Sequence, residues 1–227
     1  MSKIKVYLEI GQKRTFAAAL DWPGWCRSGP EEESALQALL DYAPRYARVL
    51  RATRLGFKPP SEVSSFVVVE RLKGNATTDF GAPGMASARD DDPLKAKELA
   101  QFEKILKACL RTFETNVKKA TGKSLRTGPR GGGRQLESML EHVLGSDEGY
   151  LNQVGWKFKR DNTVDLTQQR KQTHAAILSA LAASAKGEIP AKGPRGGVRW
   201  TARYFARRIA WHTLDHAWEL EDRTLVE

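Results

Sequence analysis

Residues 93–223 contain long stretches in which apolar side chains recur every three or four positions, and this spacing constrains the fold more than any other feature. The first stretch is marked by Leu99, Phe102, Leu106, Phe113 and Val117. Such spacing places the apolar side chains on one face of an α-helix, which must be buried against another element. Three more stretches begin near residues 134, 164 and 199. Polar connections separate them, so the sequence predicts an all-α four-helix bundle.

Local signals predict where these helices begin and end. Asp92 is followed by proline, a capping carboxylate before the residue favoured at the first helical position. The first helix is therefore expected over residues 93–119. The second is expected to be interrupted at Gly145, and the third to run over residues 164–185.

Residues 1–75 follow a different pattern. The segments KIKVYLEI, RTFAAALDWPG and SSFVVVERL predict three strands, the second ending at a Pro-Gly turn. Between them, SGPEEESALQALLDYA predicts a helix with Ser28 or Gly29 as its cap, and Pro44 is expected to end or kink it. This part is predicted to be a small α+β module.

The two parts are joined by residues 76–92, which are rich in small and acidic residues and lack periodicity. Such a composition is typical of a linker. The predicted organisation is an α+β module over residues 1–75, a linker over 76–92, and a four-helix bundle over 93–227.

Composition narrows the function classes. The chain of 227 residues has only two cysteines, Cys26 and Cys109, too few for a disulfide framework or a cysteine-rich zinc site. It has neither an apolar signal segment at the start nor a run of the roughly 20 apolar residues that span a bilayer. We therefore expect a cytoplasmic protein without a membrane role. The sequence leaves a homodimer open.

The text LDWPGWCRSGPEEESALQALL resembles the HicB-like family. In that family an acidic-apolar-Pro-Gly-Cys turn is followed by a glycine and a helix with an acidic start; here Trp25 is inserted between Gly24 and Cys26. The resemblance covers about 70 residues and implies a degenerate ribonuclease-H-like sheet that binds without catalysis. Trp22 and Trp25 could contact a ligand or could simply cover the sheet, and the sequence does not decide between these interpretations.

Three of the four histidines form a pattern that is typical of a metal site. His212 and His216 are four residues apart, so both imidazoles can reach one ion from the same face of a helix. A third ligand must come from a facing helix, and His142 is the candidate. Three histidines would leave a fourth position open, as a catalytic metal requires. Thr213 stands where an HExxH protease has its glutamate, so that class is not supported.

The segments LEHVLGSDEGYL and RYFARRIAWHTLDHAWELEDR resemble helices of the DinB/YfiT-like metalloenzyme superfamily, over about 130 residues. In that superfamily the second helix of a four-helix bundle supplies one metal histidine and the last helix supplies two. The positions that carry over are His142, His212 and His216. The resemblance implies a divalent metal, zinc or nickel with iron as an alternative, and a transferase or isomerase acting on a small molecule such as a thiol; a hydrolase is a further option.

Side chains near the histidines suggest supporting roles. Glu219 lies three residues after His216 and could accept a hydrogen bond from its non-ligating ring nitrogen. The alternative is a solvated acidic patch that pairs with Arg223 or Arg208. Ser138, one turn before His142, is a weaker candidate for the same role. His174 lies among apolar residues and is predicted to be structural.

An alternative function is suggested by charge. The formal net charge is +10, and the segment Lys118–Arg134 contains basic residues but no acid. The competing prediction is a non-enzymatic regulatory protein that binds nucleic acid or a partner through this segment and the HicB-like module. The phrase GPRGG at residues 128–132 and 193–197 precedes two predicted helices. Each copy could bind an anion through Arg130 or Arg195 and free N–H groups, or could simply be a turn that needs glycine.

Overall fold

The computed structural model describes residues 3–127 and 134–225. The chain divides into two compact units, Met1–Pro93 and Leu94–Glu227. The first combines a four-stranded sheet with short helices, and the second contains four long helices, so the predicted α+β fold class is confirmed. No helix in the described ranges is long and apolar enough to cross a membrane.

The first unit opens with three strands that pair as antiparallel neighbours. Strand β1 (Ile4–Ile10) pairs with β2 (Thr15–Ala19), which pairs with β3 (Cys26–Gly29). Strand β4 (Phe66–Lys73) returns parallel to β1, so the order is β3-β2-β1-β4. Every residue of β2 is buried, which means that both faces of this strand are covered. Short 3-10 helices span Arg51–Thr53, Val63–Ser65 and Ala88–Asp91.

Helix α1 (Glu32–Asp41) begins later than the sequence predicted. The predicted caps, Ser28 and Gly29, are wrong because both residues belong to β3 and pair with β2. The capping residue is Glu31, whose backbone N–H donates to the Ser34 hydroxyl. The short strand β3 was missed because only five residues separate the Pro-Gly turn from Pro30, too few to show an alternating pattern.

Pro44 ends α1 as predicted, and it lies in the first turn of a second short helix, α2 (Ala43–Leu50). Trp25 is fully buried and donates its indole N–H to the Leu39 carbonyl oxygen at 2.8 Å. Its ring packs against three further aromatic side chains, Tyr46, Phe57 and Phe66. The structure therefore assigns Trp25 to the core of the first unit.

The segment predicted to be a linker, residues 76–92, carries structure of its own. It contains α3 (Ala76–Phe80) and a 3-10 turn. The fully buried carboxylate of Glu9, on β1, accepts hydrogen bonds from the Thr78 hydroxyl and from the backbone N–H groups of Gly84 and Met85. The segment is therefore fixed to the sheet rather than extended in solvent, because a buried carboxylate must be satisfied by nearby donors.

Glu9→Gln is expected to loosen this segment. The glutamine amide keeps one acceptor oxygen, but its NH₂ group now faces a backbone or hydroxyl donor that has lost its acceptor. This loss costs about 2 kcal/mol of local stability, so the fraction of molecules in which the segment is detached from the sheet should rise about 30-fold. Limited proteolysis within residues 76–92 should accelerate accordingly. Glu70→Gln is the control, since among the described residues Glu70 accepts only the exposed N–H of Ala88. Equal cleavage of the two variants would contradict the anchoring role of Glu9.

The second unit contains four long helices: α4 (Ala96–Ala120), α5 (Leu136–Val154), α6 (Leu166–Ala185) and α7 (Ala202–Arg223). Each begins a few residues after its predicted start. Asp92 is not the cap of α4, because Asp92 follows a 3-10 turn and Lys95 is the extended residue before the helix. The predicted interruption at Gly145 is also wrong, since α5 continues through it. An isolated glycine costs only about 1 kcal/mol in a helix.

The four helices pack against one another, and polar links cross their contacts. Helices α4 and α5 each pack against both α6 and α7. Buried Arg203 of α7 pairs with Glu98 of α4 at 2.6 Å, and buried Arg170 of α6 pairs with Glu114 of α4 at 2.7 Å. Because α5 and α7 are neighbours, side chains from these two helices can meet at a common site.

Candidate metal centre

Three histidines from two neighbouring helices meet in the second unit. His142 lies on α5, and His212 and His216 lie one turn apart on α7. The two α7 histidines are buried and His142 is partly exposed. Apolar residues next to them on both helices form a continuous cluster that includes Leu140, Val143, Ala217 and Leu220. Close packing of these residues holds the helices at the distance at which the imidazole rings meet.

The spacing of the ring nitrogens suits a metal ion. One nitrogen from each of the three rings lies within 4.8 Å of the others. Nε2 of His142 and Nε2 of His212 are 3.4 Å apart. Two nitrogens bound to one tetrahedral ion at the usual zinc distance lie about 3.4 Å apart. The three histidines could therefore hold a metal ion.

Hydrogen bonding determines which nitrogen of His216 faces the other rings. Nδ1 of His216 lies 3.1 Å from Oε2 of Glu219. The hydrogen bond from His216 holds the pKa of Glu219 below its usual range, so the carboxylate is charged and Nδ1 must donate. In the neutral imidazole, a donating Nδ1 makes Nε2 the nitrogen that can bind a metal. The predicted role of Glu219 as hydrogen-bond partner is confirmed.

The Glu219 carboxylate is itself held in place. Its other oxygen, Oε1, accepts from Nη1 of buried Arg223 at 2.7 Å. Nε of Arg223 donates to the backbone oxygen of Arg126 at 2.8 Å, which links α7 to the segment after α4. The two interpretations of Glu219 therefore combine, because it pairs with both His216 and Arg223. The arginine fixes the carboxylate and so fixes the tautomer of the histidine.

Burial keeps two of the imidazoles neutral. It lowers the pKa of His142 to about 4, and nearby His216 and Arg134 also act to lower this pKa. It also lowers the pKa of His212, and neighbouring His216 and His142 contribute. Both rings therefore carry free lone pairs at neutral pH, the state in which imidazole binds a metal.

A row of aromatic side chains borders the histidines on one side. Tyr150 of α5 lies edge-to-face against His212, with ring centroids 5.5 Å apart. Trp200 packs on Tyr150 at 5.4 Å, and Tyr204 packs on Trp200 at 4.8 Å. Burial raises the pKa of Tyr150, so its hydroxyl stays protonated at neutral pH. One ring of this row, that of Tyr150, directly contacts the His212 imidazole.

A buried carboxyl group on α5 was not anticipated from the sequence. Asp147 is only 1% exposed, and its Oδ1 has no hydrogen-bond partner in the described part of the chain. Burial raises its pKa to about 8. The sequence does contain a signal for this buried carboxyl group. Asp147 interrupts the apolar stripe of Val143, Leu144 and Leu151 at a position where a hydrophobic residue is expected.

The glycine phrase at residues 193–197 forms a tight turn. The N–H of Gly193 donates to the oxygen of Gly197, that of Gly196 donates to Gly193, and Gly196 has a φ of 81°. Helix α7 begins only at Ala202, after a cap by Thr201. The turn interpretation is therefore confirmed for this copy. The copy at residues 128–132, with Arg130, lies outside the described residues.

The structure brings together the three predicted ligands and separates the other candidates from them. His174 lies on α6 and is not part of the group, and burial lowers its pKa to about 4. Ser138 is exposed, and Thr213 is buried at the position of the missing glutamate. Comparisons of the chain with protein-family models, with curated proteins and with solved structures find no match.

Proposed function

We propose that the second unit is a DinB-like four-helix bundle that binds one divalent metal ion through Nε2 of His142, His212 and His216. The observation that carries this proposal is the 3.4 Å separation of two of these nitrogens, with the third ring beside them. A further observation supports it. Nδ1 of His216 bonds to the Glu219 carboxylate, and metal-ligating histidines usually make such a contact through their other ring nitrogen.

The chemistry follows from the number of ligands. Three protein ligands leave a fourth position for a substrate, toward which a divalent ion supplies Lewis-acid chemistry. Zinc and nickel suit three imidazoles, and iron is the alternative. We expect a transferase, isomerase or hydrolase acting on a small molecule, with a thiol as the substrate class that the DinB-like resemblance implies. Within the chain, Glu219 and Arg223 orient His216, and Tyr150 of the aromatic row contacts His212.

For the first unit we propose a HicB-like module that binds rather than catalyses. Its support is the order of elements: the Pro-Gly turn, β3, and then α1 with Glu32 and Glu33 in its first turn. The one group of potential metal ligands found among the described residues lies in the second unit. Catalysis is therefore assigned to the histidine site.

Metal analysis tests the proposal directly. The full chain, purified without an affinity tag or a chelator, is expected to contain about one divalent ion per chain or to take one up from added zinc or nickel. The bound ion should raise the midpoint of thermal unfolding, because a ligand that binds only the folded state stabilises it. A metal content far below one ion per chain that neither added zinc nor added nickel restores would refute the metal site. It would also refute the proposed enzymatic function, which depends on that site.

A further inference from the structure

The exposed face of α4 carries a continuous row of basic side chains, which we call the α4 basic stripe. Its members are Lys97, Lys104, Lys107, Arg111 and Lys118, and all are exposed. They are spaced by seven, three, four and seven residues, and the two positions that complete the row are Ala100 and Thr115. At 3.6 residues per turn these positions share one face of the helix.

The stripe is a net positive surface because the acids of α4 are already engaged. Glu98 pairs with Arg203, and Glu114 pairs with Arg170. Glu103 approaches only Lys107, at 4.0 Å. In the part of the chain that the structure describes, the other four members of the stripe have no acidic partner.

The length of the stripe matches a regular polyanion. From Lys97 to Lys118 the helix rises by about 32 Å at 1.5 Å per residue. One turn of a nucleic-acid duplex covers about 34 Å and presents phosphates continuously along it. We infer that the α4 basic stripe binds the phosphate backbone of double-stranded nucleic acid, without reading its sequence. This activity is separate from the proposed metal chemistry.

The composition of the stripe favours a duplex over other polyanions. Binding to single strands relies on aromatic side chains on which bases stack, and the stripe has none. Helices that bind at a membrane surface insert an apolar face, but the apolar face of α4, with Phe102, Leu106 and Phe113, is buried in the unit. Contacts made only by lysine and arginine are typical of backbone recognition.

The test measures the binding of a fluorescent 24-base-pair duplex by anisotropy, with EDTA present so that metal plays no part. The wild-type chain should bind at 50 mM salt. Five phosphate contacts predict a slope of log affinity against log salt of about −4.5, hence a loss of about 500-fold between 50 and 200 mM salt. The variant K104Q/K107Q/R111Q/K118Q should lose most of the binding and retain a slope of about −1.

A matched control removes four charges elsewhere on the same unit. Lys157, Lys159, Lys171 and Lys186 are also exposed but lie outside α4, and K157Q/K159Q/K171Q/K186Q should bind the duplex within about threefold of wild type. Equal losses in the two variants would overturn the inference in favour of overall charge. Two other results would also overturn the inference. One is that the wild-type chain does not bind the duplex at 50 mM salt, and the other is that it binds phosphatidylserine vesicles more tightly than the duplex. Thermal unfolding confirms that each variant is folded.

Discussion

Replacing His142, His212 or His216 with alanine, one at a time, is expected to lower metal affinity by more than about 100-fold. Each substitution removes one of the three proposed ligands, a larger change than the loss of a ligand's hydrogen-bond partner, which typically costs about 10- to 100-fold in affinity. Glu219→Gln, which weakens the hydrogen bond to His216, is expected to fall in that smaller range. The measurement is calorimetric titration of metal-free protein with zinc and nickel at neutral pH.

His174→Ala is the matched control, because His174 is a largely buried histidine on a helix of the same unit with a similarly lowered pKa, and it lies outside the cluster. It should bind metal as wild type does. Helical circular dichroism must show that every variant compared is folded, since core truncation alone can unfold a bundle. If folded His142→Ala bound metal normally, the third ligand would be wrongly assigned; if all three did, the histidines would be core residues.

Asp147→Asn is expected to stabilise the metal-free protein, and the gain should grow with pH. Burial raises the pKa of Asp147 from 3.8 to about 8. Between these values the folded chain binds one more proton than the unfolded chain, so the free energy of unfolding falls by about 1.4 kcal/mol per pH unit. Asparagine has the same shape and does not titrate. The difference between variant and wild type should therefore increase by about 3 kcal/mol from pH 5 to pH 7.

Urea unfolding at the two pH values measures this difference, and other titrating groups cancel because both proteins contain them. Asp161→Asn is the control. Asp161 is exposed and the hydrogen bond from Thr163 lowers its pKa, so it is ionised in both the folded and the unfolded chain over this range. Its variant should show no such trend. A constant difference for Asp147→Asn would mean that the carboxyl group is solvated or paired in solution.

The group of three histidines was predictable in part because the signals for the pair on α7 are local and periodic. His212 and His216 are one turn apart, and the apolar spacing of α5 and α7 is strong enough to define two helices. The assignment of His142 to the same group needed the predicted four-helix bundle, in which a facing helix supplies a third side chain, and the resemblance agreed with it. The contact of Glu219 with His216 was predictable for the same reason, because side chains three residues apart lie on one face of a helix.

Long-range contacts were not predictable in the same way. The hydrogen bond of Arg223 to the Arg126 backbone spans 97 residues, and no periodicity encodes it. The folding of residues 76–92 onto β1 depends on Glu9, which reads in the sequence as the exposed position of an alternating strand. The start of α4 was also predicted wrongly. Asp92 and Pro93 are residues typical of a helix start, yet α4 begins only after Lys95.

The wide separation of the three histidines along the chain determines when the proposed metal site can form. His142 and His212 are 70 residues apart and meet only when α5 and α7 are packed side by side. The three imidazoles therefore come together only after these helices have assembled, so assembly of the helices must precede uptake of the proposed ion. Under this proposal the metal-free protein is a precursor rather than a damaged form, and a bound ion would report that folding has finished.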